Sequence, residues 1–117
     1  MAKELVKKKE VKLVFIGEAT EVQLNKWRKE HGTRFKRFDV PDGEEVHIGY
    51  FQKPSLEIVQ AAEQLHPNDA VANNLYCYDN CHLGGSDVFT KDDEFKFALA
   101  RGIAKSFRVL TGVLKNG

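Results

Sequence analysis

Cys77, Cys81 and His82 are the residues of this sequence whose types and spacing most readily suggest chemistry. Two thiolates and an imidazole could hold a zinc ion, with His47 or His66 as a fourth ligand, because zinc takes sulfur and nitrogen in a tetrahedron. The C-x3-C-H spacing argues against it. Zinc knuckles bring their thiolates together through a tight C-x2-C turn and add a second ligand pair at a distance, which this chain lacks. The spacing also misses that of covalent haem attachment by one residue. On a helix, Cys77 and Cys81 stand one turn apart on a common face, where cysteine is an ordinary small core residue. A thiol nucleophile needs a basic neighbour, and His82, His66 or His47 could be one, but sequence does not show proximity. Core packing, with no metal and no cofactor, is the preferred reading of both cysteines.

Other clusters also have plain explanations. Asp92, Asp93 and Glu94 could bind a cation, yet they sit where the dipole of a starting helix favours carboxylates. Leu83-Gly84-Gly85-Ser86-Asp87 shares two glycines with phosphate-cradling loops, but no lysine follows in place, so a flexible break between helices is expected. The sequence holds no phosphate loop, dinucleotide fingerprint, H-E-x-x-H helix or G-x-S-x-G elbow, which leaves a non-enzymatic role as the expectation.

Charge narrows the partners. Eighteen Lys and Arg against seventeen Asp and Glu leave +1, too little to steer the whole molecule toward nucleic acid or an anionic membrane. The basic run Lys7-Lys8-Lys9 lies in a leader, residues 1–10, that also carries Lys3, Glu4 and Glu10, and three lysines alone give only weak, salt-sensitive attraction. That leader lacks the apolar core of a secretory signal, and no stretch of sequence is long and apolar enough for a membrane span. A cytoplasmic protein with reduced thiols is therefore expected.

At 117 residues, 42% apolar and 30% charged, the chain suits one domain with one core. Val11, Leu13 and Phe15 alternate with Lys12 and Val14 in a strand ending at Gly17. Thr20 and Gln23 have capping-box spacing for a helix that Gly32 can end in the left-handed conformation, with Val22, Leu24 and Trp27 as a thin apolar face. Residues 33–40 and 45–51 read as a hairpin around Pro41-Asp42-Gly43, with Val46, Ile48 and Tyr50 on one face of the second strand and His47, Gly49 and Phe51 on the other. In the first strand Phe35 and Phe38 fall on opposite faces, which leaves its buried side open.

Ser55 can cap a helix reaching His66-Pro67, and Asn68 or Asp69 can cap the next, whose apolar line is Val71, Leu75 and Tyr78. The last helix is expected to start at Thr90 and to carry the stripe Phe95, Leu99, Ile103, Phe107, Leu110 and Leu114 over more than five turns. Together these elements predict one α+β domain over residues 11–117. A small antiparallel sheet, a hairpin with room for a third N-terminal strand, packs against three to four helices, the C-terminal one long.

Off that stripe, Phe97 shares a helix face with Arg101 and Arg108, and Ala104 leaves a gap between the aromatic and the guanidinium groups. Phe supplies contact area and Arg bidentate hydrogen bonds, so these three are the candidate partner-binding residues, for another protein or a second copy of the chain. The competing reading is that Phe97 packs on the hairpin. A rival function, a small zinc-stabilised or nucleic-acid-binding module, would use Cys77, Cys81, His82 and the lysines.

The helix end at His31-Gly32, the run Gly49-Tyr50-Phe51-Gln52-Lys53-Pro54-Ser55 and the later Asn80-Cys81-His82-Leu83-Gly84-Gly85-Ser86 resemble, in order and spacing, small tail-assembly-chaperone-like proteins of tailed phages and prophages. The resemblance covers about residues 25–112 and leaves out the leader and first strand. It implies a non-enzymatic morphogenesis protein of the bacterial host cytoplasm that associates with other tail or virion proteins, often the tape-measure protein, or stays in the particle. It brings no catalytic residue, and it implies a structural connection at Asn80, Cys81, Gly84 and Gly85.

Overall fold

The computed structural model describes residues 12–108, 110 and 112–117. The leader with Lys7, Lys8 and Lys9, and Val11 of the expected first strand, lie outside the described residues.

The sheet is organised around β3 (Glu45–Gln52), whose β-branched and aromatic residues favour a strand. β2 (Phe35–Asp42) pairs antiparallel along one edge of it, Phe35 opposite Gln52 and Asp42 opposite Glu45, across a turn at Gly43 and Glu44. The other edge is divided between two strands. β1 (Val14–Ile16) runs parallel to the first half, with Phe15 opposite Val46, and β4 (His82–Gly85) antiparallel to the second, with Tyr50 opposite Gly84. The N-terminal strand thus joins the sheet, in parallel rather than antiparallel sense.

Both faces of β3 are covered, which is why Val46 through Phe51 are all buried. On one face Trp27 of α1 (Glu21–His31) lies 5.3 Å from the ring of Tyr50 and 5.6 Å from that of Phe35. On the other lie α2 (Leu56–Leu65), α3 (Ala70–Cys81), the single turn α4 (Val88–Lys91) and α5 (Asp93–Ser106). Phe51, Cys77, Cys81, Phe89, Leu99 and Ile103 form the centre of that core. The opposite faces of Phe35 and Phe38 now make sense: Phe35 joins the Trp27 cluster, and Phe38 packs from the helical side against Gly102.

Local signals set the helix starts. Thr20 accepts the Gln23 amide at 3.2 Å, Ser55 that of Ile58 at 3.2 Å, and Asp69 that of Ala72 at 3.0 Å, each satisfying a donor the helix cannot. Asp92 accepts the amides of Glu94 at 2.9 Å and Phe95 at 3.3 Å, so it caps α5. The last helix therefore does not begin at Thr90, which belongs to α4; Asp92 is extended between them (φ −115°, ψ 121°).

Two further expectations are corrected. The segment Leu83-Gly84-Gly85 is no break between helices but part of β4, because β3 offers it a free edge. Gly85 is required there: its φ is 117°, and a Cβ would stand 2.2 Å from the Ile48 carbonyl oxygen. The stripe of α5 is also shorter than its sequence period. Leu99 and Ile103 are buried, but the helix stops at Ser106, and Leu110 and Leu114 are 77% and 98% exposed. Helices hold mainly through the packing of one face, and beyond the half-buried Phe107 the stripe residues Leu110 and Leu114 are exposed. Among the described residues, no helix is long and apolar enough to cross a membrane.

Candidate functional site

Cys77 and Cys81 lie on the buried side of α3 as free thiols. Burial pushes the Cys77 thiol up, and burial with the neighbouring Cys77 pushes that of Cys81 up to about 12. This is the reverse of an activated thiolate. His82, the first residue of β4, stacks on Tyr78 with ring centres 4.7 Å apart. Burial draws its pKa below the ordinary histidine value against a hydrogen bond with the Gly84 backbone, and Lys96 adds to the lowering. Its Nε2 is buried without a hydrogen-bond partner among the described residues. His66 packs on Tyr76 instead, 6.2 Å between rings, and His47 sits within β3. Among the described residues, no three His, Cys, Asp or Glu side chains gather as a metal ligand set.

A polar pair that the sequence did not single out lies beneath β3. His47 and Ser86 are 5% and 4% exposed, and His47 Nδ1 stands 2.8 Å from Ser86 Oγ. Glu45 Oε1 is 3.6 Å from the other ring nitrogen, and the ring meets Phe95 edge-on at 5.0 Å. The order Ser, His, Glu invites comparison with a nucleophile relay, but the hydroxyl is enclosed. The Val88 amide points at Ser86 Oγ from 3.4 Å, and the Ser86 amide donates to the Ile48 carbonyl at 2.8 Å. The pair therefore works as a clamp that satisfies buried polar groups where β4 passes into α4. Alternation along β3 placed His47 on the face of Phe51, but nothing local announces a partner so distant in sequence.

The surface candidates separate. Phe97 is partly buried and lines an open groove between α3 and α5 with Val71, Leu75, Asp93 and Lys96. Arg101, one turn further along α5, is exposed and lines a different groove, beside Phe38, Gly102 and Lys105. Arg108 lies beyond the last helical residue, and Ala104 packs against the core rather than flooring a socket. The expected line of Phe97, Arg101 and Arg108 is thus not formed, because the helix ends before its last member. In its place the structure sets Phe97 beside Val71, a residue assigned by spacing to the buried line of α3 but 53% exposed.

Comparison with protein-family models, with curated proteins and with solved structures returned no match in any of the three.

The groove is lined by the apolar Val71, Leu75 and Phe97 together with one carboxylate and one ammonium, those of Asp93 and Lys96 on α5. Such a surface suits an amphipathic segment that lays apolar side chains into the groove and keeps charge at the edge.

Proposed function

We propose that this chain is a non-enzymatic morphogenesis protein of a tailed phage or prophage. It acts in the host cytoplasm, or within the particle, by binding other tail or virion proteins. The observation that carries the binding role is the α3–α5 groove, where Phe97, Val71 and Leu75 offer apolar area to a partner segment. The phage setting rests on the resemblance of residues 49–55 and 80–86, which form the passages from β3 into α2 and from α3 into β4. The tape-measure protein is the first partner to try.

The test is capture from a lysate containing the products of the neighbouring genes. Phe97→Ala is expected to weaken capture of a tail protein by about 1–2 kcal/mol, as interface anchors do, while shifting the urea midpoint little. If it costs several kcal/mol of folding stability and leaves capture unchanged, Phe97 is a core residue and the groove is not the binding surface.

A further inference from the structure

β2 is an edge strand of the sheet, and its hydrogen-bonding phase shows which of its backbone groups face out. The Lys53 amide donates to the Arg34 carbonyl at 2.7 Å, one step beyond the Phe35–Gln52 pair. Bonded and unbonded pairs alternate along an antiparallel ladder. Lys36, Phe38 and Val40 therefore bond to β3, and Phe35, Arg37, Asp39 and Pro41 turn their backbone groups outward. Proline has no amide hydrogen, and the Phe35 amide is taken by the Gly32 carbonyl. Only the Arg37 and Asp39 amides are left as donors, and neither meets an acceptor among the described residues.

The side chains of the same two residues form an ion pair. Arg37 Nε and Nη2 reach the two Asp39 carboxylate oxygens at 2.7 and 3.0 Å, with both side chains partly exposed. On the helical side of the strand, Phe38 borders an open groove with Ala98 and Gly102, and Arg101 and Lys105 complete its lining.

We propose that β2 pairs antiparallel with β2 of a second copy, on a two-fold axis at Phe38, joining the two sheets into one. Arg37 of each copy then stands opposite Asp39 of the other. Their backbones exchange both hydrogen bonds, which satisfies the free donors, and their side chains set four charges of alternating sign on one face. Moving the axis to Arg37 or to Asp39 still serves the amides but sets like charges directly opposite, which destabilises a sheet. Phe35 falls opposite Pro41, the two residues with no donor to offer, so the ladder ends there without loss. Pro41 and Lys36 guard the edge against other registers: a proline donates nothing, and an axis at Lys36 sets that lysine against itself. Phe38 meets Phe38 at the axis, where the side chains of an unbonded pair stand closest, with the groove beside it to receive the second ring. The two Lys36 residues are four strand positions apart, about 13 Å, beyond the screening length at physiological salt. Arg101 and Lys105 are exposed, so solvent screens them as well. The contact is isologous, as two-fold association requires, and it uses no residue that lines the α3–α5 groove, so it stands apart from the tail-protein binding proposed above.

Sedimentation velocity of the full chain over a concentration series at physiological salt, with hydrogen exchange read at single amides, tests it. A monomer–dimer equilibrium is expected, with exchange of the Arg37 and Asp39 amides slowing at least about tenfold as dimer forms. Arg37→Asp gives a strand with two carboxylates and Asp39→Arg one with two guanidinium groups, so each variant alone should associate at least about tenfold more weakly. Their equimolar mixture should regain the association, because carboxylate then opposes guanidinium at both pairs. A chain carrying both changes should dimerise as the original does. Urea midpoints in dilute monomer check that each variant folds. Monomer at every concentration overturns the proposal and leaves the edge to a foreign strand. A dimer whose Arg37 and Asp39 amides exchange as in the monomer also overturns it, as does a mixture no better than its components.

Discussion

The thiol of Cys81 ionises only near pH 12 in the folded chain, against an ordinary value of 9.0, because the core around it disfavours charge. Above pH 9 the unfolded chain gives up this proton and the folded chain keeps it, so stability falls as pH rises from 9 toward 12. Cys77 and Tyr78, also raised by burial, act in the same direction. Urea midpoints should therefore decline above about pH 9. Both thiols should react with iodoacetamide far more slowly in the folded chain than in urea; fast folded-state labelling of either would contradict their place in the core. His82 governs the acid side. Its folded pKa lies below the ordinary 6.5, so the unfolded chain takes up a proton first as pH falls, and stability is lost from about 6.5 downward. His82→Phe keeps a ring on Tyr78 and removes the titration, and should flatten the change in urea midpoint between about pH 7.5 and pH 5. An unaltered slope would mean that another group carries it.

Along the elements, α5 concentrates the stability. Leu99 is fully buried, so Leu99→Ala should cost about 2–5 kcal/mol, whereas Leu114→Ala, at 98% exposure, should stay within about 0.5 kcal/mol in dilute monomer. Equal losses in urea melts would show that the stripe is packed along its whole sequence period. The same contrast marks what is legible in the sequence. Thr20, Ser55, Asp69 and Asp92 stand within three residues of the amides they accept, and such local signals read directly. The alternation of β3 is equally plain, although it does not say that both faces are covered. Strand β4 is not legible, because His82–Gly85 becomes a strand only through the free edge of β3. The end of α5 is hidden for a related reason: a helical period persists in sequence after the surface that rewards it has ended. At the candidate site, Phe97 could be picked from its position off the stripe, but its neighbour Val71 could not, since the packing of α3 on α5 decides which side of α3 is left open.

At the scale of the whole molecule, the divided edge of β3 has a consequence for the order in which the chain assembles. β2 and β3 meet across a short turn and can close early, whereas β1 and β4 each reach β3 from distant parts of the chain and must first overcome loop-closure entropy. β4 is tied in by the His47–Ser86 clamp and flanked by helices on both sides, but β1 has only three residues. It should be the last strand to add and the first to leave. Native-state hydrogen exchange can see this: the Val14 amide, bonded to the Glu44 carbonyl at 2.8 Å, should exchange through a smaller opening than the Ser86 amide, bonded to Ile48 at the same distance. Equal protection would mean that the sheet opens as one unit. When β1 leaves, Val46 and His47 are stripped of a strand neighbour while the rest of the sheet stands, and that short bare edge, beside the exposed Leu13 and Val14, is where a foreign strand could most easily add. The division of that edge of β3 between two separate strands thus sets the molecule's weak point against misassembly at its first strand.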